Sequence, residues 1–153
     1  MFVGSETTMA SPEVFTIEAV NALVPRLQVL MAAQMERRGE IEKFLEQLAK
    51  RLGKTPEAIQ EDPADPADVR ELKRDIIGRV ERYHGAWGEL EEMGVVLKDP
   101  RTGLVDFYGH VDGKLVWLCW KYGESQVTHY HGLDEGFSGR KPIEPTMRTR
   151  HLN

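Results

Sequence analysis

Apolar residues recur at Ile17, Val20, Val24, Leu27, Met31, Ile41, Leu45, Leu48 and Leu52, in steps of three and four, and Leu23, Leu30, Met35 and Phe44 widen the stripe. That spacing predicts one long amphipathic helix. Thr16 is its expected N-cap, Glu18 favours the dipole in the first turn, and Gly53 is the expected C-cap. Gln34 and Arg38 interrupt the stripe. Pro25 lacks the N–H that the Asn21 carbonyl would accept, so it predicts a kink, and the stripe continues in phase on both sides.

Thr55-Pro56-Glu57 reads as the start of a short helical turn ending before Asp62-Pro63, and residues 61–66 form an acidic, proline-rich connector. Asp65-Pro66-Ala67-Asp68 then predicts a second helix, with Asp65 as cap and Pro66 at the first position. Its stripe is Val69, Leu72, Ile76, Val80, Tyr83, Trp87 and Leu90, and Gly94 is its stop. Two long helices on a short connector make an antiparallel hairpin with one seam. Such a hairpin needs cover for the rest of its apolar face. The favoured source is a second copy, giving a homodimeric four-helix bundle; the alternative is that the C-terminal part folds back over it.

From Val95 the period changes from helical to alternating. Val95-Val96-Leu97 predicts a strand, residues 99–103 a turn, and Asp112-Gly113 a two-residue hairpin between strands at 104–109 and 114–121. With that loop, Val111 pairs with Lys114, Phe107 with Leu118, Asp106 with Cys119 and Val105 with Trp120. Val105, Phe107, Val116, Leu118 and Trp120 then share a core face, and Asp106, Tyr108, Trp117, Cys119 and Lys121 share the other. Residues 125–131 read as a further strand with Val127, His129 and His131 on one side. Residues 132–142 read as a glycine-punctuated loop.

The expected fold is therefore α+β: a long N-terminal antiparallel helical hairpin (15–94), then a small C-terminal antiparallel β-meander with a Gly-rich loop (95–145). Together they form a single domain, with a flexible leader (1–14) and tail (146–153). At 153 residues the chain is long enough for a real core. Its net charge of −5, with basic residues interleaved among acids, gives no concentrated surface for nucleic acid. No apolar run suits a bilayer, the N-terminus lacks a signal-peptide pattern, and the single cysteine fits a reducing cytoplasm.

Chemistry-bearing side chains crowd into the last third. His129-x-His131 places two imidazoles on one side of a strand, and with Asp106 they make a candidate zinc or iron site; Glu124, Asp134 and Glu135 are further ligand candidates. The plainer alternative is a structural hydrogen bond between Asp106 and His131. Cys119 reads as a buried small hydrophobe rather than a nucleophile, because the facing Asp106 opposes a thiolate. Arg140, after Gly136-Phe137-Ser138-Gly139, suits an anion, or else pins its loop to Asp134, Glu135 or Asp106. No nucleophile–base signature marks a hydrolase.

The run Phe15-Thr16-Ile17-Glu18-Ala19-Val20-Asn21-Ala22-Leu23-Val24-Pro25 resembles the N-terminal element of a family known as domain of unknown function 2203. So do Gly94-Val95, Lys98-Asp99, Gly103-Leu104-Val105-Asp106-Phe107, Leu118-Cys119-Trp120, Gly123-Glu124, His131, Leu133-Asp134, Gly136-Phe137 and Gly139-Arg140. The resemblance covers about residues 15–143 and implies a small cytoplasmic bacterial or archaeal protein with no assigned activity. It also favours His131 over His129, leaving Asp106, Glu124, His131, Asp134 and Arg140 as the ligand-binding candidates. The reading favoured by sequence is a dimeric helical interaction module whose polar cluster is mainly structural. A metal- or small-anion-binding protein, extending to a hydrolase, is the alternative.

Overall fold

A computed structural model describes residues 13–145 and 147. Most of the expected leader and tail lies outside the described residues. The protein is α+β, as its periodicities predict. Helix α1 is Ile17–Leu52, α2 is Ala67–Ala86 and α3 is Gly88–Met93; strands β1 (Val96–Asp99), β2 (Leu104–Val111), β3 (Lys114–Lys121), β4 (His129–His131) and β5 (Lys141–Pro142) follow. Thr16 caps α1, its Oγ1 accepting from Ala19 N–H at 3.0 Å, and Gly53 ends it at a φ of 79°. No described helix is long and apolar enough to cross a membrane.

Packing divides the described residues into two compact units, one of residues 13–28 with those from Leu90 onward, the other Val29–Glu89. In the helical unit, Leu48, Val69 and Ile76 form the core, with Phe44, Leu45, Leu52, Ile59, Leu72 and Val80 half-buried around it. The interruption of the stripe at Gln34 has a structural use. Its amide is buried and donates to the Tyr83 carbonyl at 2.8 Å, while Arg38 reaches the Tyr83 hydroxyl at 3.2 Å.

The structure departs from three local expectations. Residues 55–60 form no helix: between Pro56 and Pro63 there is too little chain to offset nucleation. Asp65 does not cap α2; Pro66 holds that position, and the Asp65 carboxylate takes Lys73 Nζ at 2.7 Å instead. The second helix is not continuous to Gly94 but breaks at Trp87, between Gly85 and Gly88, where helix propensity is lowest.

The β unit is a five-stranded antiparallel meander in the order β1-β2-β3-β4-β5. Asp112 and Gly113 both take positive φ, 53° and 83°, as a tight hairpin of this hand requires. They fix the register: Val111 pairs with Lys114, Phe107 with Leu118, Asp106 with Cys119 and Val105 with Trp120, as predicted. Val105, Phe107, Leu118 and Trp120 are fully buried on the core face. The start of α1 is held here by side chains: Asn21 Oδ1 accepts from Val127 N–H at 2.7 Å, and Gln28 Nε2 donates to the Glu124 carbonyl at 2.9 Å. Just before α1, Phe15 packs edge-on to Phe107 with centroids 5.0 Å apart, and its N–H donates to the Tyr108 carbonyl at 2.7 Å. The last predicted strand is shorter than expected, and part of the predicted loop supplies β5, so 132–142 is not loop throughout.

Candidate functional site

Side chains alternate across a strand, so burying Val105 and Phe107 in the core sends Asp106 to the opposite face of the sheet. Cys119 faces it from β3. β4 pairs with β3 so that His129 opposes Cys119 and His131 opposes Trp117, which puts both imidazoles on that same face. The outcome is a buried group: Asp106 is 1%, His131 3% and Cys119 0% exposed. One ligand atom from each of the three lies within 4.8 Å of the other two.

His131 Nε2 sits 2.9 Å from Asp106 Oδ2, and its Nδ1 sits 3.1 Å from the Gly132 carbonyl. A carbonyl only accepts, so Nδ1 carries a hydrogen and donates it. Asp106 Oδ1 is buried without a hydrogen bond. Burial raises the Asp106 carboxyl above its usual range, and the charge of His131 partly opposes this. The Cys119 thiol is pushed up to about 12, first by burial and then by the Asp106 charge. A thiol so placed is no free nucleophile.

Above this group is a cavity of about 210 Å³. Asp106 and His131 belong to its lining together with Lys98, Trp117, Glu135 and Phe137. Lys98 Nζ lies over the Trp117 ring at 4.9 Å, and Trp117 stacks on Tyr108 with centroids 4.0 Å apart. Glu135 is held by the Gly132 N–H at 2.8 Å and lies 3.8 Å from Lys141 Nζ.

The remaining predicted residues fall beside or outside this group. Arg140 Nη2 bridges both Glu124 oxygens, at 2.7 and 2.8 Å, and donates to the Cys119 carbonyl at 3.3 Å. Glu124 Oε1 also accepts the Lys121 N–H at 2.8 Å, so Glu124 and Arg140 tie the β3–β4 connection to the segment leading into β5. The predicted pinning of Arg140 therefore occurs, with Glu124 as partner in place of Asp134, Glu135 or Asp106. His129 bonds Thr128 Oγ1 through Nδ1 at 2.8 Å, and burial followed by the Arg140 charge lowers its pKa. It stands outside the three-atom group. Asp134 is exposed and makes no hydrogen bond or ion pair among the described residues; the loop acid that engages its surroundings is Glu135.

A family model described as "Uncharacterized conserved protein (DUF2203)" matches residues 13–143. The chain belongs to this family. No curated protein and no solved structure matches it. The DUF2203 match spans every residue of the group and of the cavity.

Two elements of the site escaped the sequence. Cys119 reads from the sequence as a small buried hydrophobe, although its pairing with Asp106 makes it a neighbour of any ion there. Asn21 and Gln28, which anchor α1 to the sheet, were readable as polar residues on the same helical face as Val24, a position where apolar residues are expected.

Proposed function

We propose that this DUF2203 protein binds a divalent transition metal, zinc or iron, through Asp106, Cys119 and His131. The observation carrying this reading is the convergence of three buried ligand atoms within 4.8 Å, one of them beside a carboxylate oxygen that has no hydrogen bond. Ligands of a tetrahedral zinc stand about 3.3–3.7 Å apart, which small side-chain rotations can reach from this arrangement. Thiolate and imidazole donors select zinc or iron over magnesium and calcium. The Gly132 carbonyl supports the role of His131: by holding Nδ1–H it leaves Nε2 as the ligating nitrogen. Three protein ligands would leave a fourth position toward the cavity, the pattern of a working rather than a purely structural site.

The test is metal analysis of protein purified without a histidine tag, followed by cobalt(II) substitution. About one equivalent of metal is expected, with a thiolate-to-cobalt charge-transfer band that Cys119→Ser abolishes, along with a tenfold or greater loss of affinity. His129→Ala is expected to retain the band. Cobalt binding that is equally strong in Cys119→Ser and wild type would sink the assignment.

A second reading concerns the helical unit, as an interaction module that pairs with another copy of the chain. It is supported by the half-buried rim of Phe44, Leu45, Leu52, Ile59, Leu72 and Val80. A four-helix arrangement would bury that rim further. Light scattering is expected to give twice the chain mass, and a monomer throughout the micromolar range would overturn it. The single, buried cysteine supports a reducing cytoplasm as the setting.

A further inference from the structure

We propose that the metal-loaded site takes a small carboxylate monoanion with an apolar or aromatic body. Its carboxylate would lie on the metal and Lys98, and its body between Trp117, Leu133 and Phe137. This rests on the metal reading above and adds the ligand class. The cavity places ligand atoms and walls together: Asp106 and His131 line it, as do Lys98, Trp117, Leu133 and Phe137. Leu133 is 45% and Phe137 46% exposed, an unusual placement for large apolar side chains, and both are walls of this cavity. An apolar body entering it would remove them from water.

Charge decides the polar end. A divalent ion is neutralised by the Asp106 carboxylate and the Cys119 thiolate, and His131 ligating through Nε2 is neutral. Glu135 is matched by Lys141 at 3.8 Å, and Arg140, beside Cys119 and over the Phe137 ring, is matched by Glu124 at 2.7 Å. Of the charged groups lining the cavity, Lys98 is left over once Asp106 is counted against the ion: its ammonium lies on the Trp117 ring, near enough for its charge to act on Asp106 but in no ion pair with it. The surplus is one positive charge beside an open metal position. A monoanion satisfies both, whereas the second charge of a phosphate monoester would be unmatched. With about 210 Å³ available, the ligand is a small molecule rather than a peptide segment.

The experiment titrates cobalt-loaded protein with acetate, phenylacetate and inorganic phosphate, reading the visible d–d spectrum. Phenylacetate is expected to perturb the spectrum at concentrations roughly tenfold to a hundredfold below acetate, the value of burying one aromatic ring. Phosphate should act more weakly than phenylacetate. With cobalt saturating in both proteins, Lys98→Met should weaken phenylacetate roughly threefold to fivefold, and Phe137→Ala should narrow the gap between the two carboxylates. A cobalt spectrum unmoved by either carboxylate, or moved equally by both, overturns the ligand assignment and leaves the metal standing. Preference for phosphate overturns it as well. Failure to form any cobalt complex overturns the metal reading and this inference with it.

Discussion

His131 Nε2 lies 2.9 Å from Asp106 Oδ2, across 25 residues of sequence, with both side chains almost wholly buried. Because Nδ1 must donate to the Gly132 carbonyl, the contact at Nε2 holds one further proton, whichever partner carries it. Asp106→Asn preserves that count, since an amide N–H can donate to Nε2. It is expected to cost about 1 kcal/mol. His131→Ala leaves the carboxyl buried with only the Cys119 thiol beside it, and is expected to cost about 3–5 kcal/mol. Urea unfolding of the metal-free proteins distinguishes them. Equal losses in the two variants would mean that the pair does not share a proton as described.

Cys119 is fully buried and its thiol is pushed up to about 12, so at pH 8 it is held almost entirely as the unreactive thiol. In metal-free native protein, Ellman's reagent is therefore expected to react only as fast as the β unit opens. Urea should release full labelling. Immediate labelling of the folded protein would show that the β3 face is open to solvent, contrary to its packing.

How much of this was legible follows from where local chemistry fixes geometry. Asp112-Gly113 dictates a tight turn, and the turn dictates the register, so the pairing of Asp106 with Cys119 could be read directly. No comparable turn signal occupies residues 122–128. The alignment of β4 on β3, and with it the position of His131 beside Cys119, was therefore not fixed by sequence. Asp65 failed as a cap because Lys73, eight residues on, competes for its carboxylate, a contact that local capping rules do not contain. Glu124 and Arg140 were both recognised as site residues, but their mutual pairing depends on a segment whose β5 strand gives only two residues of weak pattern.

Gly109 is placed where the sheet meets the residue before α1. An added Cβ would stand 2.4 Å from Leu118 Cδ1 and 3.1 Å from the Phe15 carbonyl oxygen. Leu118 is fully buried and cannot swing away, and Phe15 is held by its backbone bond to Tyr108. Gly109→Ala is expected to destabilise the protein by about 1–3 kcal/mol through overpacking. By contrast, Gly39→Ala, with nothing within 4 Å of its Cβ, should be neutral or stabilising. Thermal melts of the two variants check the contrast, and a neutral Gly109→Ala would refute the close approach.

Asp99 shapes the β1–β2 turn through Oδ1, which accepts the Arg101 N–H at 3.0 Å, and Oδ2, which accepts the Thr102 hydroxyl at 3.0 Å. These bonds, the Arg101 N–H first, lower its pKa below the ordinary carboxylate value. The folded state thus binds this proton more weakly than the unfolded chain. The stabilisation is fully present above the unfolded carboxylate pKa and disappears as the pH falls through the folded one. Asp99→Ala should be less stable than wild type near neutrality, with the difference shrinking on acidification. A difference independent of pH would assign the effect to backbone propensity instead.

Glu124 gathers the β3–β4 connection around itself. Its carboxylate holds Arg140 Nη2 and the Lys121 N–H, and its carbonyl accepts Trp120 Nε1 at 3.0 Å and Gln28 Nε2 at 2.9 Å. Removing the side chain leaves the backbone bonds available but strands a largely buried guanidinium whose Nε already lacks a partner. Glu124→Ala is therefore expected to cost about 2–3 kcal/mol. Arg140→Met, which removes the stranded charge while retaining an apolar side chain over Phe137, should cost less, and the double variant should cost less than the two losses added together. A double-mutant cycle in urea measures this coupling. Strict additivity would show that Arg140 is stabilised by something other than Glu124.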